Sequence, residues 1–563
     1  MTRLGGRKWE LAALIAGLAL WATADTPRRG IVAAGQAVAT QAGLDAFAAG
    51  GNAVDAAIAC ALTLGVVDGH NSGIGGGCFM TLRLADGRVL ALDGRETAPA
   101  GAQPELFLRD GKPDPRLSRD GALAVGVPGE LALLAYAGTN FGRLPLARHL
   151  EAASRIASNG FALDRHFASR LDATREGLGE FQPSRDIFLR ADGSPWRAGD
   201  RLVQRDLATS YLQIATHGAD WFYRGPFADR LDAWMRGRGG ILNADDLRSY
   251  RVRTREPVRG TYRGWEIVSF PPPSSGGVHV IQILNILEHF DLRSMGDRSA
   301  AFTHTVAEAM KRAFADRAHW LGDPEFTQVP RGLVSKDYAR GLALGIRPDR
   351  ATPVPGAGRP PHADSDHFRV EAARHTTHFS TADTEGNWVA CTASLNTSFG
   401  SKVVVPGTGI LLNNHLDDFA MAPGVPNAFG LVGNDANAVA PGKRPLSSMS
   451  PTLLLREGRP VLSVGAAGGP TIISQTVLAI VRTVDFGQDP ATALAGPRLH
   501  HQWLPDELHL EAAFEVHVLE ALRSRGHTVV VEPVLGAAQV VGIEGGVLLG
   551  AADPRGEGRA AGW

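Results

Sequence analysis

The chain has 563 residues, 44% of them hydrophobic and 20% charged, with a formal net charge of −1. This length supports a large core and, on a soft prior, about three or four domain-sized units. The even charge excludes a general attraction to nucleic acid or to an anionic membrane. The N-terminus reads as a secretory signal peptide over residues 1–24. Arg3, Arg7 and Lys8 are basic, residues 11–21 are apolar, and Ala22-Thr23-Ala24 is a small-x-small cleavage site. The apolar run is shorter than the ~20 residues that span a bilayer, so an exported periplasmic or extracellular product cleaved near Ala24 is expected. Cys60, Cys78 and Cys391 are widely spaced and lack any CxxC pattern. They read as buried thiols, with one bridge still possible.

From Ile31 the sequence reads as a helix through Phe47. Residues 52–64 are apolar nearly all round, which predicts a buried helix with Asn52 as its N-cap. The Gly-rich stretch at 70–77 lacks a GK[ST] ending and runs into a strand, so close backbone packing is expected there instead of phosphate binding. Strands follow at 79–84 and 89–92. Arg95, at the end of the second, could clamp a carboxylate or pair with Glu96. Residues 125–345 show apolar spacing of helical period over 131–136, 148–158, 206–216, 227–236 and 299–320. A Pro-Pro-Pro-Ser-Ser-Gly-Gly break at 271–277 precedes another helix at 278–290. Residues 350–365, rich in Pro and Gly, read as a flexible linker.

A hairpin is predicted next. Two β-prone runs flank Thr384-Glu385-Gly386, which reads as a three-residue loop with Gly386 in the left-handed region. Centring the loop on Glu385 opposes Asp383 to Asn387 and Thr376 to Ser394. Opposed side chains lie about 5 Å apart at Cβ. Local pattern alone leaves this either a polar pair on a strand face or a pair of working hydroxyls. Beyond the hairpin come an Asn-Asn-His-Leu-Asp-Asp run at 413–418 and a Pro/Gly/Asn-rich loop at 423–437. Pro445 to Pro451 follow, then a strand ending at Gly468-Gly469 and a helix from Thr471 to Val481. His500 and His501 are adjacent, and neighbours on a strand point to opposite faces. No third ligand accompanies them, so no metal or other cofactor is expected.

Together the 376–386, 411–419 and 445–451 blocks and Gly468-Gly469 resemble the γ-glutamyltransferases, or glutathione hydrolases, of the N-terminal-nucleophile hydrolase superfamily. The resemblance covers nearly the whole mature chain. It implies an α+β fold, a four-layer αββα sandwich built jointly by a large subunit (25–375) and a small subunit (376–563). The two would arise by self-cleavage at His375–Thr376 and stay together as a heterodimer, with Thr376 as the new N-terminal nucleophile. Ser394 stands where the family usually has a second Thr that hydrogen-bonds the nucleophile. The resemblance assigns Asn396 and Asp418 to the α-ammonium of the glutamyl group, and Arg95, Ser447 and Ser448 to its α-carboxylate. It assigns the N–H groups of Gly468 and Gly469 to the oxyanion hole, and the 423–437 loop, with Phe429, to a lid favouring small donors.

His415 departs from the family pattern, which usually has Gln or Glu there as an acceptor for the ammonium. A protonated imidazole would repel that ammonium, so KM for a γ-glutamyl donor is expected to rise below about pH 6.5. The implied reaction moves the γ-glutamyl group of glutathione and related compounds to water or to an amino acid or peptide amine. The alternative is a glutaryl-type β-lactam acylase on the same scaffold. An uncleaved binding protein is disfavoured by the retained hydroxyls and glycine pair.

Overall fold

The computed structural model describes residues 29–368 and 377–563. The signal-peptide reading and both partners of the proposed scissile bond, His375 and Thr376, lie outside the described residues.

Along the chain come β1 (Gly30–Ala34), β2 (Gly77–Arg83), β3 (Val89–Gly94), β4 (Arg253–Arg255), β5 (Val258–Tyr262) and β6 (Trp265–Ser269). Then follow β7 (His378–Asp383), β8 (Trp388–Ser394), β9 (Thr452–Arg456), β10 (Arg459–Ala467), β11 (Ala537–Glu544), β12 (Val547–Ala552) and β13 (Arg559–Gly562). The first sheet has the order β13-β1-β7-β8-β2-β3-β4, and the second β12-β11-β10-β9-β6-β5. The sheets face each other across Ile31, Ala33, Val268, Ala382, Trp388, Ala390, Leu453 and Val541. A Ser380–Ser463 hydroxyl contact of 2.8 Å also links them.

Five helices pack on the outer face of the first sheet: α1 (Ala37–Ala48), α2 (Ala53–Val67), α3 (Glu130–Phe141), α4 (Leu146–Asn159) and α5 (Arg205–His217). The outer face of the second sheet is covered by α6 (Ser275–Leu287), α7 (Ala300–Trp320), α8 (Lys336–Leu344) and α9 (Thr471–Val484). The result is a four-layer αββα sandwich.

The strand period of two separates the layers. In β8, Val389, Cys391 and Ala393 face the helices of the first sheet, while Trp388 and Ala390 face the other sheet. The hairpin has the expected register: His378 opposes Thr392 and Ala382 opposes Trp388, with Gly386 at φ +99°. Asn52 caps α2 by accepting from the N–H groups of Val54 and Asp55, and Asp55 returns the bond to Asn52. The Gly-rich stretch does pack by backbone approach. A Cβ on Gly75 would sit 2.0 Å from the Leu411 carbonyl oxygen, and one on Gly76 2.0 Å from that of Ser394. All three cysteines are free and buried.

Two expectations are corrected. Ile31 does not begin a helix; it lies in β1, which is paired on one side with β7 and on the other with β13. The helix starts only at Ala37. Residues 350–365 are not a loose linker but a strap laid across the second helical layer. Trp503 Nε1 donates to the Val354 carbonyl (2.8 Å), Trp320 Nε1 to that of Gly358 (3.0 Å), and the Gly358 N–H to Asp316 Oδ1 (2.7 Å). Pro and Gly suit an extended path, and donors from distant elements fix that path. Among the described residues no helix is long and apolar enough to cross a membrane.

Candidate active site

The two sheets end together around a cavity of about 280 Å³. β8 delivers Ser394 and Asn396 to it, and β10 delivers Gly468 and Gly469 at the N-terminus of α9. Asp418 comes from a short 3₁₀ turn, His415–Asp418, while Ser448 precedes β9. Of the residues singled out in the sequence, Ser394, Asn396, Asp418, Ser448, Gly468 and Gly469 line this cavity, and Phe429 of the 423–437 loop closes over it.

The glycine pair is arranged for close approach. Gly468 has φ +133° and Gly469 φ +58°, both unfavourable for residues with a Cβ. A Cβ on Gly469 would meet the Phe429 ring at 2.7 Å. Neither glycine N–H has an acceptor among the described residues, and both stand at a helix N-terminus, where partial positive charge favours a developing anion. Asn396 adopts φ +86°; its Nδ2 donates to the Asn414 carbonyl (3.1 Å), and its N–H donates to Ser394 Oγ (2.7 Å).

Arg95, His415 and Ser447 stand behind the wall instead of in it. Arg95 is 0% exposed. Its Nη2 donates to Asp418 Oδ2 at 2.9 Å and to the Pro445 carbonyl, and its Nη1 donates to Glu96 Oε2 at 3.3 Å. Its described partners are therefore Glu96, Asp418 and the Pro445 carbonyl, all buried. It anchors Asp418, which faces the cavity. Ser447 Oγ accepts from the Met449 N–H, and its carbonyl accepts from the Ser275 N–H and hydroxyl.

His415 is fully buried, with Nδ1 2.7 Å from Glu96 Oε1. Burial pushes the Glu96 carboxyl up to about 8 against the pull of Arg95.

Sequence reasoning missed Arg317. It lines the cavity from α7, is 5% exposed and has no acidic partner within ion-pair distance among the described residues. Burial pulls its guanidinium down to about 10, opposed by the charge of Asp418. A signal was available: Arg317 continues the stripe of Met310, Ala313 and Phe314, where the helical period calls for an apolar residue. Asp68 was also missed. It accepts from Thr377 Oγ1 at 3.4 Å, one residue beyond Thr376, and burial raises its carboxyl to about 8.

Comparison with known proteins identifies the family. The sequence profile described as Gamma-glutamyltranspeptidase matches residues 39–563. The glutathione hydrolase proenzyme of Escherichia coli K12 is 42% identical over 536 residues, covering 94% of this chain and 90% of that protein. The acylase ACY 1 proenzyme of Pseudomonas sp. SE83 is 38% identical over 542 residues, covering 94% and 93%. Among solved structures, cephalosporin acylase from Bacillus halodurans superposes with a TM-score of 0.85 at 31% identity, covering 95% of this chain and 96% of that one. With a profile match from residue 39 to the last residue and a 42% identical relative covered almost end to end, the chain belongs to the gamma-glutamyltranspeptidase family.

Proposed function

We propose that this protein is a self-processing γ-glutamyl hydrolase and transferase acting on glutathione and related γ-glutamyl compounds. The observation that carries this reading is the charge pattern of the cavity wall. Asp418 presents a carboxylate, and Ser448, backed by the Arg317 guanidinium, presents a hydroxyl beside a cation. An α-amino acid head carries one charge of each sign and matches both. A glutaryl group has the carboxylate but no ammonium, and would leave Asp418 facing an unmatched group.

In the proposed mechanism the Thr376 hydroxyl attacks the carbonyl of His375. The acyl group shifts from nitrogen to oxygen, and water cleaves the resulting ester. The pieces 25–375 and 376–563 remain assembled as a heterodimer. The freed α-amine of Thr376, with an ordinary pKa near 8, takes the proton of its own hydroxyl, directly or through water. The hydroxyl then adds to the γ-carbonyl. The oxyanion is received by the Gly468 and Gly469 N–H groups. The leaving amine departs with a proton, and a γ-glutamyl ester remains on Thr376. Water, or an amino acid or peptide amine, resolves it. Ser394 supports the nucleophile, and Asn396 and Asp418 receive the α-ammonium. His415 stands with Glu96 beneath them, Arg95 holds Asp418 in place, and Ser448 faces the α-carboxylate with Ser447 behind it. The basic and apolar N-terminal pattern supports export with cleavage near Ala24.

A denaturing gel and two substrates test the reading. Wild-type protein should run as two pieces and Thr376→Ala as one. A γ-glutamyl anilide should release its chromophore while the glutaryl anilide does not. Preference for the glutaryl compound would support the acylase alternative instead.

A further inference from the structure

Arg317 is a buried cation with no acidic group within ion-pair distance among the described residues, which is costly unless something supplies one. Asp316, the preceding residue, cannot do so. Its carboxylate faces the strap, accepting from Gln282 Nε2, Tyr338 Oη and the Gly358 N–H. Asp418 lies beyond ion-pair distance and is bonded to Arg95. Among the described residues Arg317 donates to two hydroxyls. Nε donates to Ser275 Oγ at 3.0 Å and Nη2 to Ser448 Oγ at 3.3 Å.

A guanidinium has no acceptor, so both serine oxygens must accept. Each hydroxyl then has its own proton to place elsewhere. Ser275 gives its proton to the Ser447 carbonyl. Ser448 Oγ–H has no acceptor among the described residues, and its side chain lines the cavity. The Ser448 proton is thus turned toward the cavity beside a full positive charge. An oxygen anion entering that corner would meet a donor held in place, not a rotor that must first be ordered.

We infer that Arg317 is a positioning residue for substrate selection: it locks Ser448 as a donor to the α-carboxylate of the γ-glutamyl group and supplies the counter-charge for that carboxylate. The inference rests on the γ-glutamyl reading above. It adds a requirement: donors bearing an α-carboxylate should be selected over donors lacking it through Arg317.

The test compares γ-glutamyl-4-nitroanilide with 4-aminobutanoyl-4-nitroanilide, the same donor without its α-carboxylate. Wild-type enzyme should favour the first. Arg317→Gln should raise KM for the γ-glutamyl donor roughly 10- to 100-fold, the range expected from losing one charge-assisted hydrogen bond, with kcat changed only a few-fold. Its kcat/KM for the 4-aminobutanoyl donor should stay near wild type. Adding Arg317→Gln to Ser448→Ala should cost less than it does alone, because the two act as a unit. Gel processing and Tm report folding. If Arg317→Gln does not process, Arg317→Lys takes its place; a single ammonium cannot reproduce the two-armed fork, so selectivity should still fall.

Equal losses on both donors in a processed variant, full additivity with Ser448→Ala, or unchanged selectivity in the Lys variant would overturn the inference while leaving the γ-glutamyl reading intact. A wild-type enzyme that ignores the γ-glutamyl donor would overturn that reading, and this inference with it.

Discussion

Replacing Asp418 by Asn tests the charge pattern of the cavity directly. The change keeps the size of the side chain and an oxygen acceptor. Arg95 Nη2, now 2.9 Å from Asp418 Oδ2, retains a partner, and Glu96 still lies 3.3 Å from Nη1. The protein should therefore fold and process, with a stability loss of about 1–3 kcal/mol from the weakened buried pair. The larger effect falls on substrate. A hydrogen bond between charged partners contributes about 1.5–3 kcal/mol, and each 1.4 kcal/mol is a factor of about ten. The kcat/KM for a γ-glutamyl anilide should fall roughly 10- to 150-fold, mainly through KM. The glutaryl anilide has no ammonium and gains from losing a nearby negative charge, so its kcat/KM should hold or rise. Steady-state kinetics on both anilides, with a gel to verify processing, gives the answer. Equal falls on both donors would refute recognition of an ammonium by Asp418.

Three further outcomes follow from the geometry. Gly469→Ala combines a left-handed φ of +58° with a Cβ placed 2.7 Å from Phe429; kcat should fall about 100-fold or more, as when an oxyanion donor is displaced, and a kcat within a few-fold of wild type would contradict the placement of that N–H. Gly76→Ala drives a Cβ to 2.0 Å from the backbone oxygen of Ser394, so protein should accumulate as an uncut chain with a Tm lowered by several degrees, read by gel and calorimetry. The third concerns acid. Burial holds His527 down to about 4, with His304 Nδ1 2.7 Å from its Nε2. Because an unfolded imidazole titrates near 6.5, the unfolded chain binds the extra proton between those values, and stability drains away as pH falls from about 6.5 to 4, by up to about 3 kcal/mol. His527→Gln should flatten part of that fall in Tm against pH; an unchanged slope would dissociate the pair from acid sensitivity.

The parts of the fold legible in the sequence were those fixed by local chemistry. The β7–β8 register followed from alternation plus one left-handed Gly386, and the start of α2 from the Asn52–Asp55 reciprocity. β1 was not legible, because its five residues become a strand only by lying between β7 and β13, more than 300 positions away. The strap failed for the same reason: its order resides in the donors of Trp320 and Trp503. Within the site, motif residues gave identity but not depth. Arg95 and His415 are where a motif would place them along the chain, yet Glu96 engages both from the core side. Arg317 escaped notice because a charged residue in a long helix ordinarily faces water, and only the packing of α7 shows that this one does not.

Trp563 lies beside the start of the described chain: the Arg29 N–H donates to its carbonyl at 2.6 Å, and its own N–H donates to that of Gly30 at 2.9 Å. A few glycines could join Trp563 to Arg29, with the chain opened instead between His375 and Thr376. The circular permutant would be translated with Thr376 directly after the initiator methionine, whose removal by an aminopeptidase would expose the proposed nucleophile. Every strand could keep its neighbours, since both sheets already mix strands from the two sides of the opening. Maturation would then be independent of self-cleavage, and variants too impaired to cut themselves could still be assayed for catalysis.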